Sequence, residues 1–440
     1  MDEPEQKQEP EKKRSKTSKE RTSKEKISKS KESVTSKESI QKKKKKGGTN
    51  RMLVVFVGLL LLVVLAGVGY FVLFVLIEEK TPERTSSPEP TKPKGLVSAI
   101  ILFHHGARAP LSTNQTILAK FPLGAGELTE GGIDDSFKLG QFLGERYVQT
   151  GFLRSPPLPA EIYFRSRSIN PSLMSAALVG SGMWAAPKDP EFTAVPIYGQ
   201  EKNDRIFTHL QHCRLEKKRL SDRCGKAPPE FESWSEYEGF VYECVGLNRQ
   251  SKVVKDAKSF AKMANLIQMD RSGVETPSWF SENKKEIYKL YERTFSFIMG
   301  VNDYHDKKIL QLKQGVLMKT ILDLLKNRWT EWQSSHKIAK RKFIAYSVQE
   351  WLIMAFMEAL GCAKEALNGS IPSNNALLMI ELSDDDDEAF VQVLYIDKTM
   401  NSLKDITKAV RLCDRSPCPL AKFLQCCDDY TVEDPKIVCG

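Results

Sequence analysis

Apolar residues fall along this chain in one long run and several short ones. From Met52 to Ile77 the chain reads MLVVFVGLLLLVVLAGVGYFVLFVLI, 26 residues without a charge. At 1.5 Å per residue this makes roughly 39 Å of helix, more than the ~30 Å of a hydrocarbon layer. It is too long for the apolar region of a cleaved leader, and no small-residue cleavage pattern follows before Glu78. The run therefore predicts a retained signal anchor over 52–77.

The later runs are short and bounded by turn residues. LVSAIILF at 96–103 predicts a buried parallel strand that opens into the loop HHGARAP. GGIDDSFKLGQFLGERYV, after Thr129, has apolar residues at helical spacing. EIYFRSR at 161–167 reads as a second strand, with the helix SLMSAALVGSGMW after it. GVLMKTILDLLKNR at 315–328 puts Val316, Ile321, Leu324 and Leu325 on one helical face. RKFIAYSVQE at 341–350 predicts a third strand leading into the helix WLIMAFMEALG, and ALLMIELSDDDDEAFVQVLYID closes with two strands around an acidic turn. Between about 187 and 305 the pattern turns polar and irregular, as in a helical cap inserted into a domain. The order of elements predicts an α/β domain over 96–440 with helices on both sheet faces. Ligands of such sheets bind outside the carboxyl ends of the strands.

Charge separates the N-terminal part from the rest. Residues 1–51 hold 18 Lys and Arg against 9 Asp and Glu, whereas the remaining residues hold 48 against 47. With almost no aromatic or branched apolar residues, this tail cannot bury enough surface to offset chain entropy, so it is expected to be disordered. Lysines crowd one flank of the apolar run and EEKTPERTSSPEPTKPK follows the other, so a cytoplasmic tail, a stalk over 78–95 and an exported domain are expected: a type II single-pass protein. Lysines close to anionic lipid each contribute ~1 kcal/mol, which makes membrane lipid the partner of the tail. No nucleic-acid partner is expected, because the tail interleaves no aromatic residues and is separated from any folded reader.

The expected exported side carries two sequons, at Asn114 and Asn368; Asn170-Pro171-Ser172 is excluded by its proline. All nine cysteines lie there too, without zinc-type C-x-x-C pairs, so disulfides are expected and the odd count leaves at least one thiol over. The oligomeric state stays open, a homodimer included.

Candidate chemistry sits at the strand exits. Arg108 and Arg165 are permanent cations suited to clamp a phosphate or carboxylate, and a histidine beside them can attack phosphorus. Two other features read as bland: Tyr304-His305-Asp306 follows no apolar strand and suits a solvated loop, and Asp384 to Glu388 suits a hairpin turn rather than a cation site.

His104-His105-Gly106-Ala107-Arg108-Ala109-Pro110 resembles the R-H-G-x-R-x-P signature of the histidine acid phosphatases, a branch of the phosphoglycerate-mutase-like superfamily. The likeness extends through FPLGAGELTEGG, YFRSRSINPSLMSA, GVLMKTILDLLK and IAYSVQEW. It implies a phosphoglycerate-mutase-like sheet and hydrolysis of phosphomonoesters, or binding of another anionic small molecule. His105 would attack the phosphoryl group to give a phosphohistidine, while Arg108 and Arg165 would hold the equatorial oxygens. No metal or other cofactor is expected.

The sequence departs from the family pattern where the chemistry is most exacting. His104 replaces the signature's first arginine, Gln349 the late histidine, and Glu350 the aspartate that protonates the leaving group; in the R-S-T block Arg167 replaces the threonine. Losing a clamp donor costs roughly 10²–10³ in rate and losing a general acid roughly 10²–10⁴. Gln349 keeps an amide donor, and Glu350 keeps a carboxyl one methylene further out. A weakened phosphatase is therefore expected, with a catalytically silent member that binds phosphate esters or serves adhesion as the alternative.

Overall fold

A computed structural model of the chain describes residues 94–112, 114–185, 193–202, 204–207, 213–397 and 402–440. The expected tail, the apolar span 52–77 and the stalk up to residue 93 lie outside these. No helix among the described residues is long and apolar enough to cross a membrane.

The first described strand is β1 (Leu96–His104), buried at every position. Alternate residues serve opposite faces: Ile100 and Leu102 join one apolar core, whereas Ala99, Ile101 and Phe103 join another. A strand covered on both sides has no polar face, which is why this run reads as continuously apolar. The second core is closed by α1 (Glu130–Tyr147) and α2 (Asn170–Trp184), which contribute Leu143, Tyr147, Ala176, Val179 and Met183. Thr129 caps α1 by accepting from the Gly132 N–H, as the sequence at that boundary requires.

The remaining strands are β2 (Ile162–Ser166), β3 (Ile197–Gly199), β4 (Phe343–Val348), β5 (Leu377–Asp385), β6 (Glu388–Ile396), β7 (Lys404–Asp405) and β8 (Cys418–Pro419). They form a mixed sheet in the order β3-β2-β4-β1-β5-β6-β7, with β8 against β6. The four strands from β3 to β1 are parallel, and β5 and β6 run antiparallel beyond them. The α/β expectation with helices on both faces is met. Its cap boundary is corrected: β3, inside the stretch read as an insertion, extends the sheet edge beside β2. Three residues with no apolar alternation give no strand signal, and only the neighbouring strand makes them one.

Between β3 and β4 come α3 (Arg214–Cys224), α4 (Trp234–Cys244), α5 (Ala257–Arg271) and α6 (Lys284–Met299). They pack with the long α7 (Lys307–Ser335), which exceeds the helix expected over 315–328 by about two turns at its N-terminus, where Asp306 caps it. Cys224 is bonded to Cys244, joining the ends of α3 and α4; Cys413–Cys418 and Cys426–Cys427 are the other disulfides among the described residues. Cys213, Cys362 and Cys439 are free thiols.

Candidate active site

Parallel register brings three strand exits to one edge. His104 on β1 lies opposite Val348 on β4, and Arg165 on β2 lies opposite Tyr346 on the same strand. His104, His105, Arg108, Arg165, Gln349 and Glu350 lie in or just beyond these three exits.

Past His104 the chain turns through His105 and Gly106 against the start of α1. A Cβ on Gly106 would lie 2.4 Å from the carbonyl oxygen of Gly132, so only glycine permits this approach. The loop is pinned further where the Gly106 N–H donates to Ser175 Oγ at 2.9 Å and the Asn375 N–H donates to the His105 carbonyl at 3.2 Å.

His105 is 4 % exposed, and its Nδ1 donates to the Gly106 carbonyl at 2.8 Å. That bond fixes the tautomer and leaves Nε2 with a lone pair. Burial, then the neighbouring His104 and Arg108, hold the ring well below the ordinary imidazole range, so it is neutral. A buried, neutral imidazole with one committed nitrogen has the electronic form that attack on phosphorus requires.

His104 is differently engaged. Its Nδ1 donates to the Ser373 carbonyl at 3.0 Å, and its Nε2 lies 3.1 Å from Glu350 Oε2. The carboxylate sits off the ring N–H axis, so the contact is an ion pair rather than an aligned hydrogen bond. Burial pushes the Glu350 carboxyl upward, but His104, with Arg271 adding to it, outweighs burial and holds the group well below the usual carboxylate range. Glu350 is therefore an anion.

Glu350 opens α8 (Glu350–Leu360), where the helix dipole also favours its negative charge. Gln349, just before it, accepts from Trp351 Nε1 at 2.6 Å through its amide oxygen. Its NH₂ group remains the donor side, as the sequence reading requires. Arg108 follows the turn, with one guanidinium N–H on the Ala109 carbonyl at 3.2 Å.

Arg165 is the residue whose surroundings the sequence does not convey. Its guanidinium pairs with Asp204, a carboxylate whose side chain is 1 % exposed, and lies over the Phe207 ring at 5.5 Å. The structure thus gathers His104, His105, Arg108 and Glu350 into one cluster with Gln349 beside it, while Arg165 stands two strands from β1 with one arm already committed.

The cap contributes groups that sequence reasoning missed. Ser272, just after α5, donates to the Arg108 carbonyl at 3.1 Å, and Arg271 lies within electrostatic reach of Glu350. Asp204 and Arg271 occupy stretches with no motif or period, so no local signal marks them.

The remaining candidates lie apart. Asn114 is exposed and caps a short helix (Gln115–Leu118), and Asn368 is exposed at a left-handed helix end with φ 48°. His305 is not merely solvated: its Nδ1 is 2.7 Å from Glu358 Oε1 and its Nε2 3.1 Å from the Tyr430 hydroxyl, which ties the start of α7 to α8. Asp384 to Glu388 do form a hairpin turn, and His336 joins it so that ligand-type atoms of His336, Asp384 and Asp387 lie within 4.8 Å of one another.

Comparisons agree with this arrangement. A family model described as the histidine phosphatase superfamily (branch 2) matches residues 20–396. A putative acid phosphatase 1 of Caenorhabditis briggsae is 27% identical over 357 residues, covering 78% of this chain and 82% of that protein. The prostatic acid phosphatase of Mus musculus is 25% identical over 372 residues, covering 79% and 89%. The apo form of Hafnia alvei phytase, 15% identical, shares the fold with a TM-score of 0.53 over 79% of this chain and 99% of its own. With the signature loop, the parallel strand exits and a family match over most of its length, the chain belongs to branch 2 of the histidine phosphatase superfamily.

Proposed function

We propose that this protein is a membrane-anchored phosphomonoesterase of reduced activity, in which His105 accepts the phosphoryl group. The observation that carries the reading is the state of His105: buried, neutral, with Nδ1 held by the Gly106 carbonyl and Nε2 left as the nucleophile. Arg108 and the N–H groups opening α8 supply positive potential for the phosphate oxygens, at the end of a helix where anions bind readily.

The ion pair between His104 and Glu350 supports the word reduced. A carboxylate held as an anion has no proton for a leaving group, so the residue at the family's acid position serves instead as the counter-ion of the residue at its arginine position. The same pair favours the second reading, a phosphate-ester binder without turnover. The charge-free run over 52–77 and its lysine-rich flank support a type II topology with the domain outside the cytoplasm, and Asn114 and Asn368 as glycan acceptors there.

Hydrolysis of an aryl phosphate at pH 4 to 6 by the purified protein, beside His105→Ala, tests the proposal. Turnover that disappears in His105→Ala is the expected result. No turnover in either protein, with a gain in the triple reversion His104→Arg, Gln349→His, Glu350→Asp, overturns it in favour of the binder.

A further inference from the structure

Gln349 stands on the middle exit of the three. β4 lies between β1 and β2 in the sheet, so the residue after Val348 sits between the turn that carries His105 and Arg108 and the strand that ends beside Arg165. Its chain neighbours are fixed to the cluster by contact: Val348 is paired with His104, and Glu350 lies 3.1 Å from His104 Nε2. A phosphate held between the outer exits therefore meets whatever atom Gln349 presents.

An amide can present either of two opposite groups. Its oxygen repels a phosphate oxygen and its NH₂ donates to one, and a half-turn about the last side-chain bond exchanges them. Nothing in a glutamine by itself selects the useful orientation.

Trp351 selects it. Its Nε1–H donates to Gln349 Oε1 at 2.6 Å. An indole has a donor and no acceptor, so only the amide oxygen satisfies it, and the reversed amide would set N–H against N–H. The indole is held in place by its packing, since Trp351 is 9% exposed in the larger apolar core, on a helix buried along nearly its whole length. Gln349 is also released from the usual task of its position. It is the N-cap of α8, yet its side chain makes no capping bond, and its backbone oxygen accepts from the Leu352 N–H at 3.0 Å. The amide oxygen goes to Trp351, while the NH₂ has no hydrogen-bond partner among the described residues. This half-buried side chain thus keeps two N–H donors available at the strand exits.

From this geometry we infer that Trp351 is a positioning residue for phosphate, its indole N–H holding the Gln349 amide with the NH₂ turned to the anion. Trp351 touches no substrate and acts through Gln349. The inference rests on a phosphate group being bound at these strand exits, as in the proposed function, and applies to turnover and to binding alike.

Titration of inorganic phosphate into the full-length protein by calorimetry, beside turnover of p-nitrophenyl phosphate, tests this. Gln349→Ala removes a donor to a charged group, so the phosphate dissociation constant should rise about 10- to 100-fold. Trp351→Phe keeps an aromatic ring in the core and removes the N–H. It should raise the constant about 3- to 10-fold in the unsubstituted protein, and by less than about twofold in the Gln349→Ala background. Gln349→Glu keeps an oxygen for the indole but turns a carboxylate oxygen to the anion, so it should weaken phosphate binding more than Gln349→Ala does. An equal loss from Trp351→Phe in both backgrounds, as altered packing of α8 would give, overturns the inference, and so does a Gln349→Glu protein that binds phosphate as well as the unsubstituted one. In either case turnover of the aryl ester by the unsubstituted protein leaves the proposed function standing. Coupling between the two positions in a protein that binds phosphate without turnover supports the inference and overturns the phosphatase reading. An unsubstituted protein that neither binds phosphate nor hydrolyses the ester overturns both.

Discussion

Glu350→Gln separates the two forms a buried carboxyl can take. In the structure Glu350 faces His104 Nε2 at 3.1 Å, with side chains 17% and 3% exposed respectively. At an effective dielectric of ~20 the attraction of unit charges at that distance is about 5 kcal/mol. Desolvation of the two buried groups offsets part of it. The substitution should therefore cost about 3 kcal/mol at pH 6, the low end for breaking a buried pair. The folded carboxyl titrates below its unfolded value of ~4.3, so its contribution is complete above that pH and declines by about 1.4 kcal/mol per unit as the pH falls toward the folded value. Roughly 1 kcal/mol should remain at pH 3. Urea unfolding followed by tryptophan fluorescence, at pH 6 and pH 3, measures both numbers. A difference that does not shrink at pH 3, or a Glu350→Gln protein more stable than the parent at pH 6, would refute the ion pair and restore Glu350 as a protonated acid.

Two further outcomes follow from the geometry around His105. Gly106→Ala should reduce stability by about 1–3 kcal/mol and abolish turnover of an aryl phosphate, because its Cβ would stand 2.4 Å from backbone of α1; unchanged rate and melting temperature would refute the close approach. Arg165→Ala leaves Asp204 buried without its cation and should cost about 3–5 kcal/mol in a urea melt, whereas Arg165→Ala combined with Asp204→Ala should recover part of that loss; no recovery would mean that the pair is not what holds Arg165.

Legibility from sequence followed the physics of each element. β1 was plain because both its faces are covered, so nine consecutive positions are buried and the apolar run is unbroken. α1 was plain because one face packs on the sheet and Thr129 marks its start. β3 was not, since three residues at a sheet edge acquire their structure from hydrogen bonds to β2 rather than from any pattern of their own. The same division runs through the site. His105 and Arg108 are read from a contiguous loop, and Gln349 and Glu350 from the end of an apolar strand. Arg271 and Asp204 come from the irregular stretch between β2 and α7, where nothing local distinguishes them from solvated charges.

Sequence alone placed His105, Arg108, Gln349 and Glu350 at strand exits, because strand identity and motif spacing are local properties of the chain. It also marked His104 and Glu350 as departures from the family pattern. Tertiary structure decided what those departures do. Only folding brings position 104 on β1 and position 350 on α8 within 3.1 Å, where two substitutions that read as separate losses become one ion pair. Only folding brings the Ser272 hydroxyl of the cap to the Arg108 carbonyl, 3.1 Å away. The charge state of a carboxyl depends on what surrounds it in space, and the chain order of its neighbours does not carry that information.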